Sequence, residues 1–215
     1  MVTLVLGGAR SGKSAHAEGL LADTAATYVA TARADPADAE WMARIAAHKQ
    51  RRPPAWRTVE LTDPGELAPF LERAVGPVIV DDLATWLTAV LDDANAWEGG
   101  SLEPVQQACT ELADAVASIH ATAALTGAGS GGVDPADPAS RATAAGAVGA
   151  AGTAGPVGTS KAELVLVSAE VGLGVVPASR SGRLFRDQLG ALNAALADRC
   201  THVVLLVAGI PLRLR

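Results

Sequence analysis

Aromatic residues are scarce in this 215-residue chain: four Trp, two Phe and one Tyr. A core with so few of them must be packed from Ala, Val and Leu, which the 49% hydrophobic content supplies. Cysteine is scarcer, with Cys109 and Cys200 alone. Two widely separated thiols form neither a metal-spaced pair nor a disulfide framework. No apolar run approaches the roughly 20 residues that cross a bilayer, and the first residues lack the basic stretch of a secretory signal, so a cytoplasmic protein is expected. An excess of positive charge is missing too. With 17 Lys and Arg against 23 Asp and Glu, the net charge of −6 argues against nucleic acid as the main partner. The length suits one ordinary domain, able to bury roughly 70% of its unfolded surface.

Lysine occurs only at 13, 49 and 161, and the first stands in "LGGARSGKS", residues 6 to 14. This stretch fits G-x-x-x-x-G-K-S through Gly7, Gly12, Lys13 and Ser14. Glycines at that spacing let the backbone curl so that successive N–H groups converge on one anion, and a following helix adds its positive end. Lys13 would reach the β- and γ-phosphates of a nucleotide, and the Ser14 hydroxyl would ligate Mg²⁺. Context supports the motif. "MVTLVL" before it reads as a buried strand and "SAHAEGLLADTA" after it as a helix, which is the order a phosphate-binding loop requires.

Four further apolar runs read as strands: 27–32, 78–83, 163–172 and 201–209. Near-continuous Val, Leu and Ile is the pattern of strands covered on both faces of a parallel sheet. Helical segments fall between them. Residues 35–53 open with Asp35 and Pro36 and stop at Pro53; 63–74 repeat the device with Asp63, Pro64 and Glu66; 102–121 and 183–200 supply two more. The expected fold is a single α/β domain over 1–215, a mostly parallel open sheet with helices on both faces. Residues 122–160 depart from that plan, being Gly, Ala, Ser, Thr and Pro with hardly a large apolar side chain. They are expected to form a disordered insertion, whose free ends would average roughly 35 Å apart as a flexible coil.

"VIVDDL" ends an apolar strand in Asp81 and Asp82, the acidic partner a phosphate loop needs for its Mg²⁺. Adjacent carboxylates point to opposite faces of a strand, so one faces the metal; Asp81 is the expected ligand beside Ser14. "ARIAAHKQRRP" places His48 on the helical stripe that carries Trp41, Ile45 and Arg52, with Arg44, Lys49, Arg51 and Arg52 around it. Four cations beside an imidazole would keep a ring nitrogen deprotonated and nucleophilic. From these residues alone, His48 reads as a structural histidine at a helix C-terminus beside solvated bases.

Together, "GGARSGKS", "ARIAAHKQRRPPAWRTVE" and "EVGLGVVPASRSGRLFRDQLGALNAALA" resemble the bifunctional adenosylcobinamide kinase and adenosylcobinamide-phosphate guanylyltransferase family of cobalamin biosynthesis. The likeness spans 1 to about 120 and 161 to 213. It implies that His48 is the histidine guanylylated in that family, that Lys13 is catalytic beside it, and that Gly7, Gly8, Ala9, Arg10, Ser11, Gly12, Lys13 and Ser14 form its nucleotide loop. Thr31, Ala32 and Arg33 match a second nucleotide-contacting segment. Lys49, Gln50, Arg51, Arg52, Glu60 and Asp82 match the remaining nucleotide contacts. Glu170, Gly172, Gly174, Pro177, Arg186, Asp187 and Asn193 match a C-terminal signature of substrate or structural residues. Two positions depart from the family pattern: Ala169 stands where an Asn commonly precedes the Glu, and Asp82 where Cys is usual.

The resemblance further implies a RecA-like fold, a homotrimer, ATP and GTP as substrates with Mg²⁺, and a corrinoid acceptor. Two half-reactions follow from it, phosphorylation of adenosylcobinamide and transfer of GMP to the product through a histidine phosphoramidate. The residues alone also leave open a single-function P-loop kinase for a small metabolite, or a nucleotide-binding switch module.

Overall fold

The computed structural model describes residues 1–33, 37–127 and 163–215. β1 (Val2–Gly7) is buried along its whole length. Its side chains alternate between two cores: Val2, Leu4 and Leu6 join one cluster, Val5 the other. A strand covered on both faces has no polar side to show, which is why its sequence is a run and not an alternation. β2 (Thr27–Ala30), β4 (Val78–Asp81), β5 (Leu164–Ala169) and β6 (His202–Val207) fill the other four apolar runs. Two more strands have no such run to announce them. β3 (Arg57–Glu60) and β7 (Ile210–Arg213) lie at the two edges, paired on one side only and largely exposed.

The seven strands form one sheet in the order β3-β2-β4-β5-β1-β6-β7. Every pairing is parallel except that of β7 with β6, a hairpin turned through Ala208 and Gly209, both at positive φ. Helices cover both faces, as expected. α1 (Lys13–Leu20) puts Ala17 into the smaller cluster with Tyr28, Trp56 and Ile79. The larger cluster takes Leu67 and Leu71 from α3 (Leu67–Arg73), Leu87 and Leu91 from α4 (Leu83–Asp93), Leu112 and Val116 from α5 (Glu103–Gly127), and Leu189 and Leu192 from α6 (Arg180–Ala197). α2 (Ala39–Arg51) contributes none of its described side chains to either cluster.

α4 is a helix that the sequence reading passes over, although Leu83, Trp86, Leu87, Val90 and Leu91 recur at i, i+3, i+4, i+7 and i+8 and all are buried. Its N-cap is Asp82, whose carboxylate accepts from Thr85 N at 2.9 Å. Asp63 caps the single 3-10 turn before α3 through Gly65 N at 2.8 Å, with Pro64 in its first turn. α6 begins at Arg180, three residues before the expected start, because Ser179 caps it through Gly182 N. α5 continues through Gly127, past the expected start of the low-complexity insertion at 122; the rest of that segment, and the expected cap at Asp35 and Pro36, lie outside the described residues.

A buried polar joint ties β5 to α6. Asn193 Nδ2 donates to Ala169 O at 3.0 Å, and Asn193 Oδ1 accepts from the fully buried Ser168 hydroxyl at 2.6 Å. Removing one side leaves the other without a partner in a dry place. Asn193→Ala is therefore expected to cost about 2 kcal/mol, read as a lower urea midpoint with an unchanged slope.

Candidate active site

The carboxyl ends of β1, β2, β4 and β5 lie side by side, with Gly7 opposite Ala169 and Ala30 opposite Asp81. The chain leaves β1 through a tight turn in which Ser11 N donates to Gly8 O at 3.3 Å. Gly7 sits so close beneath this turn that a Cβ there would collide with the Ser11 hydroxyl and press on Leu206. Arg10 and Gly12 both take positive φ, 57° and 88°, which curls the loop back over its own axis. α1 then starts at Lys13 with no side chain capping its first N–H groups. The Ser11 hydroxyl is buried and has no hydrogen-bond partner among the described residues. Uncapped N–H groups, an orphan hydroxyl and a lysine around one concave turn are the donors a phosphate requires.

Asp81, at the end of β4, is where the neighbouring elements meet. Its Oδ1 accepts from Ser14 Oγ at 3.2 Å, and its Oδ2 accepts from Tyr28 OH at 2.6 Å and lies 3.6 Å from His48 Nδ1. Burial pushes this carboxyl up, but the contacts from His48, Tyr28 and Ser14 outweigh it and hold the group below the usual carboxylate range. Tyr28 moves the other way, its phenol pushed well up by burial and by the Asp81 charge. Asp82 is raised by burial and by the adjacent Asp81 charge, and its carboxylate is occupied with capping α4. Thr31 is buried behind it, its hydroxyl donating to Asp82 O at 2.7 Å and sharing a hydrogen bond with Thr85.

α2 and the strands around it enclose a cavity of about 560 Å³ over the loop. Arg10 to Ser14 line its floor, Ala32, Asp81 and Asp82 one wall, and His48, Lys49, Arg52 and Glu60 another. Two of the bases near His48, Lys49 and Arg52, are engaged elsewhere. Lys49 Nζ donates to Glu60 Oε1 at 2.6 Å, holding that carboxyl below its ordinary value. The Arg52 guanidinium lies 3.5 Å over the Tyr28 ring and donates to Thr58 Oγ1 at 3.1 Å, while its buried Nε has no partner among the described residues. β2 and β3 thus draw these two cations aside, and among the described residues the carboxylates of Asp81 and Glu18 lie near the imidazole. Gln50 is exposed, and the side chains of Trp41, Arg44 and Arg51 lie outside the described set.

Other expected residues do not line the cavity. Arg33 forms a two-pronged pair with Asp93 at 2.6 and 2.8 Å and donates to Thr62 O, away from the loop. Gly8 and Ala9 are exposed on the turn. Glu170 N donates to Gly7 O at 3.1 Å and its carboxylate accepts from Gly172 N at 2.7 Å, so the signature begins at the base of the loop. Arg186 and Asp187 pair with each other on α6 at 2.9 Å. Gly174 and Pro177 lie on the connection between Glu170 and α6, and neither they nor Glu170, Arg186 or Asp187 line the cavity.

Sequence reasoning missed Tyr28, Glu18 and Thr85. Glu18 stands one helical turn from Ser14, the signal that could have placed it, and offers an oxygen within 4.8 Å of ligand atoms of His48 and Asp81. Tyr28 gave only the hint of being the sole tyrosine, in a strand beside the acidic one.

The backbone at Gly12 makes the loop testable. At φ 88°, an Ala is strained by roughly 1–2 kcal/mol. Gly12→Ala is expected to weaken GTP binding about tenfold or more in titration calorimetry, with the circular dichroism of the fold unchanged.

A family model described as cobinamide kinase / cobinamide phosphate guanyltransferase matches residues 3–147 and 143–214. The bifunctional adenosylcobalamin biosynthesis protein CobP of Pseudomonas aeruginosa is 35% identical, the alignment covering 100% of this chain and 98% of that protein. The bifunctional adenosylcobalamin biosynthesis proteins CobU of Escherichia coli and Salmonella typhimurium are 33% and 34% identical, each covered to 100% along with this chain. An ATPase from the type III secretion system of pathogenic bacteria, a solved structure, aligns with 96% of this chain at 9% identity and a TM-score of 0.49; this chain spans 51% of it. With the family match running almost end to end and relatives above 30% identity over their full lengths, this chain belongs to the cobinamide kinase / cobinamide phosphate guanyltransferase family.

Proposed function

We propose that this protein phosphorylates the aminopropanol hydroxyl of adenosylcobinamide with ATP or GTP, then transfers GMP from GTP to the product through a GMP-His48 intermediate. One observation carries the reading: the phosphate loop and His48 open on the same cavity, with Asp81 between them, 3.2 Å from Ser14 Oγ and 3.6 Å from His48 Nδ1. A kinase alone needs the loop; a histidine on the opposite wall is what a nucleotidyl transfer adds.

The loop N–H groups, Lys13 and the unpartnered Ser11 hydroxyl bind the triphosphate, and the Arg52 Nε offers a further donor. Ser14 Oγ and Asp81 Oδ1 are a pair of oxygens fit for a hard divalent cation and would hold Mg²⁺. When bound, that ion neutralises phosphate charge. Positioning of the reactants over the loop supplies most of the kinase catalysis. In the transfer, the His48 ring attacks the α-phosphorus, pyrophosphate leaves, and the cobinamide phosphate then takes GMP from the ring.

The assembly we propose, following the family resemblance, is a cytoplasmic homotrimer without a nucleic-acid partner. No helix among the described residues is long and apolar enough to cross a membrane. Sedimentation equilibrium is expected to give a mass three times the 21.7 kDa of the chain.

Incubation with Mg²⁺ and α-labelled GTP is expected to label the wild-type protein, in a bond stable to alkali and lost in acid. Neither γ-labelled GTP nor the His48→Ala variant should give label. An unlabelled wild type that still turns over γ-labelled GTP with cobinamide would reduce the protein to a kinase.

A further inference from the structure

The two oxygens of Asp81 face different partners. Oδ1 meets Ser14 of the phosphate loop, while Oδ2 accepts from Tyr28 OH at 2.6 Å and lies 3.6 Å from His48 Nδ1. Tyr28 is held still. Its side chain is 1% exposed, packed with Trp56 and Ile79 in the smaller core, and its ring is covered by the Arg52 guanidinium at 3.5 Å. The carboxylate it grips is 6% exposed and so cannot swing away to solvent.

An ionised carboxylate only accepts hydrogen bonds, so a neutral imidazole that turns Nδ1 toward it does best with its proton on that atom. The lone pair then belongs to Nε2. Glu18 is the other acid close to the ring, and must be distinguished from Asp81 by experiment.

We infer that Tyr28 and Asp81 are positioning residues of the guanylyl transfer: Tyr28 fixes Asp81 Oδ2 against His48 Nδ1, and this selects Nε2 as the nucleophile. The inference rests on the reading of His48 given above. In the step, the Nε2 lone pair forms the bond to the α-phosphorus and the bond to the bridging oxygen breaks, its electrons leaving with pyrophosphate. The Nδ1 proton stays in place. The positive charge that the substituted ring acquires is then met by the Asp81 carboxylate. One carboxylate would therefore serve both chemistries, through a different oxygen in each.

The test uses full-length protein carrying ¹⁵N-labelled histidine, without nucleotide, at mildly alkaline pH. His48 is assigned among the four histidines by the signal lost in His48→Asn. Wild type is expected to show the Nδ1–H tautomer; Tyr28→Phe, which keeps the ring under Arg52, and Asp81→Asn should show both tautomers; Glu18→Gln should resemble wild type. After GTP and Mg²⁺, phosphorus is expected to couple to Nε2, and Tyr28→Phe to lower kcat of guanylylation about tenfold with a smaller change in KM for GTP. An Nε2–H wild type, phosphorus on Nδ1, or a tautomer that answers to Glu18→Gln and not to Tyr28→Phe would overturn the inference. Absence of any GMP-histidine would instead strike the proposed function, while the nucleotide-free spectra still decide which ring nitrogen carries the proton.

Discussion

A single buried carboxylate organises this molecule's working end. Asp81 closes the strand that lies between β2 and β5, and through its two oxygens it collects the helix after the phosphate loop, the tyrosine of β2 and the histidine of α2. An ion in so dry a place survives only because donors replace the water it lost. The fold's contribution is to deliver those donors from three separate elements to one point.

Its neighbour in sequence shows how narrow that solution is. Asp82, one residue on, is equally enclosed but serves as the cap of α4, with Thr31 and Thr85 tied to it. Two acids in a row thus shift in opposite directions: Asp81, turned to the loop, is lowered by its donors, and Asp82, turned to the helix, is raised by burial and by the Asp81 charge. Asp82 supplies an N-cap that a thiol at the same place, a weak acceptor, would make poorly.

The parts of this arrangement that are local in sequence could be read from it. The glycine spacing of the loop, the apolar runs and the alternation of strand with helix are each dictated by backbone sterics or two-sided burial, and they appear where those constraints act. β3 and β7 escaped because an edge strand carries little apolar demand, and α4 because its amphipathic run directly follows an acidic pair that draws the eye as a site. The partners of His48 escaped for another reason. Basic residues around it in sequence implied a cationic setting, but the two whose side chains are described, Lys49 and Arg52, reach for Glu60, Tyr28 and Thr58 on neighbouring strands, and proximity along the chain is not proximity in space.

α2 carries the histidine yet leaves both buried clusters to other elements. Among the described residues its polar ties run into the site itself: His48 beside Asp81, Lys49 on Glu60, and Arg52, just past its end, on Tyr28 and Thr58. A triphosphate that recruits those two cations must displace the contacts that already satisfy them, so part of its interaction is exchange and not gain. Affinity for nucleotide is then a difference between two sets of bonds, and the internal set is a ligand the protein carries with it.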